Sequence, residues 1–404
     1  MAYKFPSLAE LKELSLYIHI PFCTQKCAYC DFFSLAKRDD GLIRKVIEET
    51  VAQAQFFIDL IQPKNLTTIY IGGGTPSCLP RPILRFLLNE INALKPNKPL
   101  EYTIEANPET IDEEFLFLCQ EFGITRFSIG IQTFDPDLRK TLGRGGERGR
   151  ICGVLDWLTA KWPGDLNMDL MAGIPGQNYR DIKEDVKILL AYSPAHVSFY
   201  TLSLEPNTKL YRQVRNGLLR WPDEGLRDEL WLRGRALLVN GGYSHYEISN
   251  FSHPGKNCLH NLCYWLLKPY LGIGPSAVST LSTHNGKVIR LTNPRHLQKF
   301  LLGKDSCWGI SQEIINPDKV FFEQLMLGLR LQSGIPCALF LKRFKRRLPM
   351  IIPSVWASWQ KRKLLKNNKQ AYALTLQGRL ILNTLLRELL EHEKEYENIT
   401  FDFG

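Results

Sequence analysis

No run of this chain approaches the ~18 uninterrupted apolar residues that a membrane span requires. The stretch from Met1 to Glu13 has neither the charged n-region nor the apolar h-region of a secretion signal. Both absences predict a soluble, cytoplasmic protein. A disulfide framework is missing as well. Of ten cysteines in 404 residues, seven (Cys78, Cys119, Cys152, Cys258, Cys263, Cys307 and Cys337) are scattered, and a reducing compartment keeps such thiols free or occupied with metal. Acidic residues are absent from one long window: residues 324–387 hold thirteen Lys or Arg and no Asp or Glu. Set against +10 for the whole chain, that window leaves −3 elsewhere, so the basicity belongs to one C-terminal segment and not to the body of the protein. What the chain has in plenty is apolar surface. It is 44% hydrophobic, with eight Trp, fifteen Tyr and twenty-one Phe, which excludes a disordered tail and supplies a sizeable core.

Between residues 15 and 203, short β-rich runs alternate with longer helical patterns, as in βα units around a parallel sheet. The pattern predicts strands over 15–20, 67–71, 101–105, 126–131, 165–170 and 196–202, with helices over 39–61, 80–94, 111–122, 147–161 and 178–192. Six units are too few for a closed eight-stranded barrel. The expected fold class is therefore α/β, a partial (βα)6 TIM-like barrel, with a doubly wound sheet as the alternative. Three segments are expected: the barrel over 1–205, a central segment over 206–314 where the alternation fades into aromatic-rich stretches, and a small basic domain over 315–404. The last reads as α-helical or winged-helix-like. In either architecture chemistry gathers at the carboxyl ends of the strands, and the unusual residues stand there one after another.

The strongest signal is Cys23-Thr-Gln-Lys-Cys27-Ala-Tyr-Cys30, three thiols in an eight-residue loop just after the first predicted strand. Thiolates so spaced hold metal. One reading is a zinc site, closed by a distant Cys or by His19; the other is an iron–sulfur cluster whose fourth iron stays open to a small molecule. Positions 31 and 32 are Asp and Phe, so no fourth cysteine follows within the loop.

This Cys-x3-Cys-x2-Cys loop follows Tyr17-Ile-His-Ile-Pro-Phe22 and is trailed, in order, by Gly72-Gly73-Gly74-Thr75-Pro76-Ser77, Glu105-Ala106-Asn107-Pro108, Arg126-Phe-Ser-Ile-Gly-Ile-Gln132, Leu142-Gly-Arg144, Asn167-Met-Asp169 and His196-Val-Ser-Phe-Tyr200. The series resembles the radical S-adenosylmethionine superfamily and, within it, the coproporphyrinogen III oxidase-like branch. The resemblance implies a radical SAM barrel with a [4Fe–4S] cluster on Cys23, Cys27 and Cys30. Its open iron would be chelated by S-adenosylmethionine, which one electron cleaves to methionine and a 5′-deoxyadenosyl radical. It further implies that Tyr17, Tyr29, Gly73, Gly74, Thr75, Glu105, Gln132, Arg144 and Asp169 contact this cofactor or a second copy of it. Glycines would let backbone approach the ligand, and carboxylates or amides would take ribose hydroxyls.

A second cluster, Cys258-Leu-His260-Asn261-Leu-Cys263-Tyr264-Trp265, puts His260 and Tyr264 four residues apart, on one face of a helix, with Trp265 beside them. A neutral imidazole is an axial haem ligand and flat aromatics pack on a porphyrin; a buried, hydrogen-bonded histidine beside core aromatics is the plainer reading. His-Asn-x-x-Tyr-Trp is similar to the haem-binding motif of the haem chaperones of this branch. That resemblance implies a protein that holds haem and passes it to acceptor haemoproteins, with a flavodoxin or ferredoxin as electron donor. Phe32 points the same way, since the oxidases are known for a further cysteine at that place. The rival functions are an oxygen-independent coproporphyrinogen III oxidase and, more remotely, a radical methyltransferase. The run Lys342-Arg343-Phe-Lys345-Arg346-Arg347, with Lys361-Arg362-Lys363, is either a solvated face or an attractor for haem propionates, anionic lipid at a membrane surface or an acidic partner. Arg144-Gly-Gly-Glu-Arg148-Gly-Arg150 is too short for an RNA-binding tract, and no nucleic-acid partner is expected.

Overall fold

The computed structural model describes residues 8–36, 39–397 and 399–402. Residues 1–7 of the stretch read for a secretion signal, and the outermost residues of the first and last expected segments, lie outside them. Six parallel strands carry the N-terminal half: β1 (Glu13–Ile20), β2 (Asn65–Gly73), β3 (Glu101–Ala106), β4 (Arg126–Gln132), β5 (Asp165–Ala172) and β6 (His196–Thr201). Between them run α1 (Asp40–Ile61), α2 (Arg81–Ala93), α3 (Glu113–Glu121), α4 (Arg148–Lys161) and α5 (Tyr179–Tyr192). In the sheet these strands stand in sequence order, β1-β2-β3-β4-β5-β6. A doubly wound sheet breaks that order at a switch point. Right-handed crossovers that always advance the same way put every helix on one face, which is the wall of a partial barrel.

Local chemistry sets the boundaries. Asp39 caps α1 by accepting from the Leu42 N–H at 2.9 Å, Asp112 caps α3 by accepting from Phe115 N–H at 2.7 Å, and Asn178 with Asp181 forms a capping box on α5. Apolar and polar residues alternate along the strands: Leu14, Leu16, Ile18 and Ile20 of β1 form one face and are at most 1% exposed, while Ser15, Tyr17 and His19 occupy the other.

Residues 206–314 extend both edges of this sheet. At one edge β7 (Ser244–His245) and β8 (Asn250–Ser252) add antiparallel beyond β6, backed by α6 (Glu224–Asn240). At the other, β9 (Tyr270–Ile273) pairs parallel with β1, followed by β10 (Val278–Ser282), β11 (Val288–Thr292) and β12 (Ser311–Ile315), giving twelve strands. Leu271-Gly-Ile-Gly274 is thus a strand ending in a turn. A Cβ on Gly272 would meet the Val278 carbonyl oxygen at 2.1 Å, and one on Gly274 (φ +88°) the His19 carbonyl oxygen at 2.5 Å, so the glycines serve close backbone packing.

To pass from β8 to β9 the chain crosses the amino ends of the central strands, carrying helix α7 (Leu259–Trp265). Arg126 at the start of β4 donates to the Lys256 carbonyl at 3.1 Å. Glu101 at the start of β3 accepts from the N–H groups of Leu259 (2.9 Å) and His260 (3.0 Å). Thr68 of β2 bonds His260 Nδ1 at 2.8 Å, and Ser15 of β1 donates to Cys263 Sγ at 3.0 Å. The segment floors the barrel.

A second core, built on Phe321, Phe340, Phe344, Trp359 and Leu385, belongs to the C-terminal part. It comprises α8 (Pro317–Gly328), α9 (Cys337–Phe344), α10 (Pro353–Lys361), α11 (Leu382–Glu391) and a two-stranded piece, β13 (Ile335–Pro336) with β14 (Ala371–Tyr372). Arg343 of α9, 3% exposed, donates to the carbonyls of Leu266 (2.7 Å) and Leu267 (2.9 Å), and also to Gln324. A cation thus satisfies the carboxyl end of α7. Among the described residues no helix is long and apolar enough to cross a membrane. Arg343→Ala should lower stability by about 3 kcal/mol, because two buried carbonyls lose a charged donor; chemical denaturation checks the magnitude, and faster amide exchange over residues 259–268 checks the location.

Candidate functional site

The cysteine loop is anchored at several points by protein contacts alone. Phe22–Cys23 pairs with Leu35–Ala36, the Ala28 N–H donates to the Leu142 carbonyl at 2.8 Å, and the Ala28 carbonyl accepts from Leu210 N–H at 2.7 Å. Cys23, Cys27 and Cys30 line a single cavity of about 160 Å3, and no other cysteine lines it. Among the described residues, no group of three His, Cys, Asp or Glu side chains converges to hold one metal ion. Burial raises the Cys23 and Cys30 thiols above the usual thiol range, and the Thr75 hydroxyl, donating to Cys23 Sγ at 3.6 Å, works the other way.

Most of the other expected contact residues share this cavity: Tyr29, Gly73, Gly74, Thr75, Glu105, Gln132, Arg144 and Asp169 all line it. The two glycines have an internal reason for lacking a side chain. A Cβ on Gly73 (φ +106°) would strike the His19 ring at 2.4 Å, and one on Gly74 the Phe22 carbonyl oxygen at 2.4 Å. Glu105 accepts from the Gly73 N–H at 2.9 Å and from the Tyr70 hydroxyl at 2.9 Å. Burial holds its carboxyl up at about 7 despite those donors, with Asp169 adding to the rise. Asp169 is likewise raised, mainly by burial, while accepting from Asn167 at 2.7 Å. Arg144 donates to the Tyr29 hydroxyl at 3.1 Å and the Gly130 carbonyl at 2.8 Å, so the stretch read for RNA starts inside the barrel. Gln132 sits at a bulge with φ +71° and accepts from the Tyr200 hydroxyl at 3.0 Å.

A larger cavity, about 680 Å3, runs down the barrel from Tyr29, Cys30 and Phe32 at the carboxyl rim to Arg126, Cys258 and Asn261 at the floor. Glu105 and Asp169 belong to both cavities. Arg126 is 4% exposed and its Nη1 has no hydrogen-bond partner among the described residues. Phe32 lines both openings and is 65% exposed.

His260 does not line either cavity. It is 1% exposed, with Nδ1 on the Thr68 hydroxyl (2.8 Å), Nε2 on the Tyr264 hydroxyl (2.8 Å) and its ring stacked on Tyr70 at 5.1 Å. Burial lowers its pKa to about 3, leaving the imidazole neutral. Tyr17 packs against the same ring at 6.4 Å and bonds His19 Nδ1 at 3.0 Å, and Trp265 lies under the Arg330 guanidinium at 5.8 Å. Of this motif, Asn261 is the member that faces the chamber.

Sequence reasoning missed Glu101, Thr68 and Tyr70, which fix the motif helix, and Tyr200, which orients Gln132. Tyr200 stood in a quoted motif and Glu101 opened a predicted strand; neither carries a local sign of its partner.

Residues 17–189 match the family model of the Radical SAM superfamily, and residues 315–381 that of the HemN C-terminal domain. A curated relative from Buchnera aphidicola subsp. Acyrthosiphon pisum, "Heme chaperone HemW", is 34% identical over 389 residues, covering 94% of this chain and 99% of its own. Its namesake from Escherichia coli K12 is 33% identical over 387 residues, covering 95% and 100%. Among solved structures, the coproporphyrinogen III oxidase HemN from Escherichia coli superposes with a TM-score of 0.80 at 18% identity, over 93% of this chain and 90% of that one, a likeness of fold. Near-full-length identity with such relatives, and the matching barrel and C-terminal models, make this chain a member of the HemW family within the radical SAM superfamily.

Proposed function

We propose that this protein is a haem chaperone: it holds haem and delivers it to acceptor haemoproteins, and carries a [4Fe–4S] cluster with S-adenosylmethionine at the barrel rim. The observation that carries the cofactor half is the donor set, three cysteines lining one cavity with no fourth cysteine in its lining. That set fits a four-iron cluster with one open corner better than a closed zinc tetrahedron. When bound, the cluster supplies a chelating iron and one electron for the sulfonium. The chain's own residues do the rest. Thr75 donates toward a cluster sulfur ligand, Arg144 fixes the Tyr29 ring beside the loop, and Glu105, Asp169 and Gln132 offer acceptors for ribose hydroxyls and the ammonium group. Phe32 at the mouth brings no thiol where the oxidases carry one, which favours the carrier over oxidative decarboxylation.

The haem half rests on the family and on His260, the ligand implied by its motif. In the closed arrangement both of its nitrogens are engaged, so ligation requires Nε2 to leave the Tyr264 hydroxyl. The reductant would be a flavodoxin or ferredoxin. A cytoplasmic site suits ten unpaired cysteines.

Replacing Cys23, Cys27 or Cys30 by Ser should abolish cluster iron after anaerobic reconstitution, read by iron analysis and absorption; full retention of the four-iron spectrum would reject the ligand set. In a haem titration, His260→Ala should lose the imidazole-ligated component, whereas Tyr264→Phe should bind about fivefold tighter, because a competing hydrogen bond worth ~1 kcal/mol is gone. Equal binding by both variants and wild type would remove His260 as ligand. Glu105, raised to about 7, is protonated below that pH and a carboxylate above it. Affinity for S-adenosylmethionine should therefore rise up to about tenfold from pH 6 to 8 and stay flat in Glu105→Gln, as measured by equilibrium dialysis.

A further inference from the structure

The basic C-terminal window does not act as one surface. Arg343 is spent on α7, Lys345 pairs with Asp402 at 3.1 Å, Arg346 donates to the Met350 carbonyl at 2.9 Å, and Arg362 binds the Glu388 carboxylate at 2.7 Å. Of the other cations of this window, Arg347, Lys366 and Lys369 gather at one place, with Lys366 donating to the Gln332 carbonyl at 2.6 Å. They line a cavity of about 360 Å3 in the C-terminal domain whose lining contains no Asp or Glu. None of the three forms an ion pair among the described residues. Burial, with Arg379 adding to it, pushes the Lys366 ammonium below its ordinary pKa, as expected for a cation held without a counter-charge.

The wall of this cavity is apolar and aromatic. Trp356 and Tyr372 meet edge to face at 5.6 Å, with Leu341 and Pro349 beside them. Cys337, at the start of α9, lines it too and hydrogen-bonds with Tyr372. Its volume falls in the range of small-molecule sites, roughly 300–1,000 Å3. A flat apolar body, anionic groups at one edge and an atom that accepts a thiolate would satisfy wall, rim and sulfur together. Lipid headgroups use only the rim, and an acidic peptide uses neither the ring faces nor the sulfur.

We propose that this cavity is a second haem site, separate from the barrel: the porphyrin stacks on the Trp356 ring with the perpendicular Tyr372 ring at its edge, the propionates meet Arg347, Lys366 and Lys369, and the Cys337 thiolate ligates the iron. The site rests on the haem reading above. Thiolate is an established axial ligand class, and on coordination the thiol proton passes to water. Unlike His260, Cys337 is partly exposed, so haem arriving from outside reaches it directly and displaces one hydrogen bond, that with Tyr372.

The test is a titration of ferric haem into full-length wild type, Cys337→Ser, Lys366→Gln/Lys369→Gln and His260→Ala, followed by absorption and electron paramagnetic resonance. Wild type should show a thiolate-ligated component that Cys337→Ser loses and His260→Ala keeps. The double lysine variant should bind that component roughly five- to tenfold more weakly, with a flatter salt dependence. Because both lysines lie at the rim, this variant keeps the proposal testable should Cys337→Ser misfold. An unchanged spectrum in Cys337→Ser, with unchanged affinity in the double variant, overturns this site alone. No haem uptake by wild type instead overturns the chaperone reading beneath it. If the double variant loses binding to phosphatidylserine vesicles while its haem binding is intact, the cations serve lipid and the proposal fails.

Discussion

Glu101 is a carboxylate, 3% exposed, at the first position of a central strand, and much of the interior depends on where its two oxygens point. They accept the first N–H groups of α7, and Arg126 balances the charge at 3.3 Å. A buried charge of this kind is tolerable only with such partners. In return, the amino end of a seven-residue helix, too short to be stable alone, is pinned at the base of the barrel. The opposite end is pinned by Arg343. Acid at the amino end and base at the carboxyl end both complement the helix dipole, and the base comes from the C-terminal domain. One short helix is thus the joint between three parts of the chain.

The joint is wired to the rim by contact. The Tyr264 hydroxyl bonds His260, the His260 ring stacks on Tyr70, the Tyr70 hydroxyl donates to Glu105, and Glu105 accepts the Gly73 N–H next to the cysteine loop. Each link is a directed hydrogen bond or a ring face, buried or partly buried. The two motifs that the sequence sets some 230 residues apart are therefore joined through four side chains, of which Tyr70 and Glu105 line the chamber.

Much of this was legible from the chain. The six strands and five helices of the barrel lie within about two residues of where apolar periodicity and caps put them, because strands that alternate apolar with polar residues and capped helices leave local signatures. The three thiols and the rim residues were legible because each follows a strand. What the sequence hid is non-local. β9 lies beside β1 across some 250 residues of chain, and nothing in Tyr270–Ile273 names that neighbour. Gly73 and Gly74 line the cavity, and His19 and the Phe22 carbonyl add a reason for glycine there that is internal to the fold and that no local signal carries. His260 was read as a haem ligand, and the geometry gives both of its nitrogens protein partners. The basic window looked uniform until Arg343 proved to be interior and Arg347, Lys366 and Lys369 to share a cavity.

The pairing of β9 with β1 also governs biogenesis. While a ribosome has delivered only the first six βα units, β1 is a raw edge with unpaired amides, and the barrel has no base, since Cys258 to Trp265 have not emerged. Such an edge invites pairing with foreign strands. A nascent chain in that condition would present its cysteine loop at the head of an open trough, unprotected from oxidants. The barrel that frames the cysteine loop is therefore complete only once residues 256–273 have emerged and crossed its base.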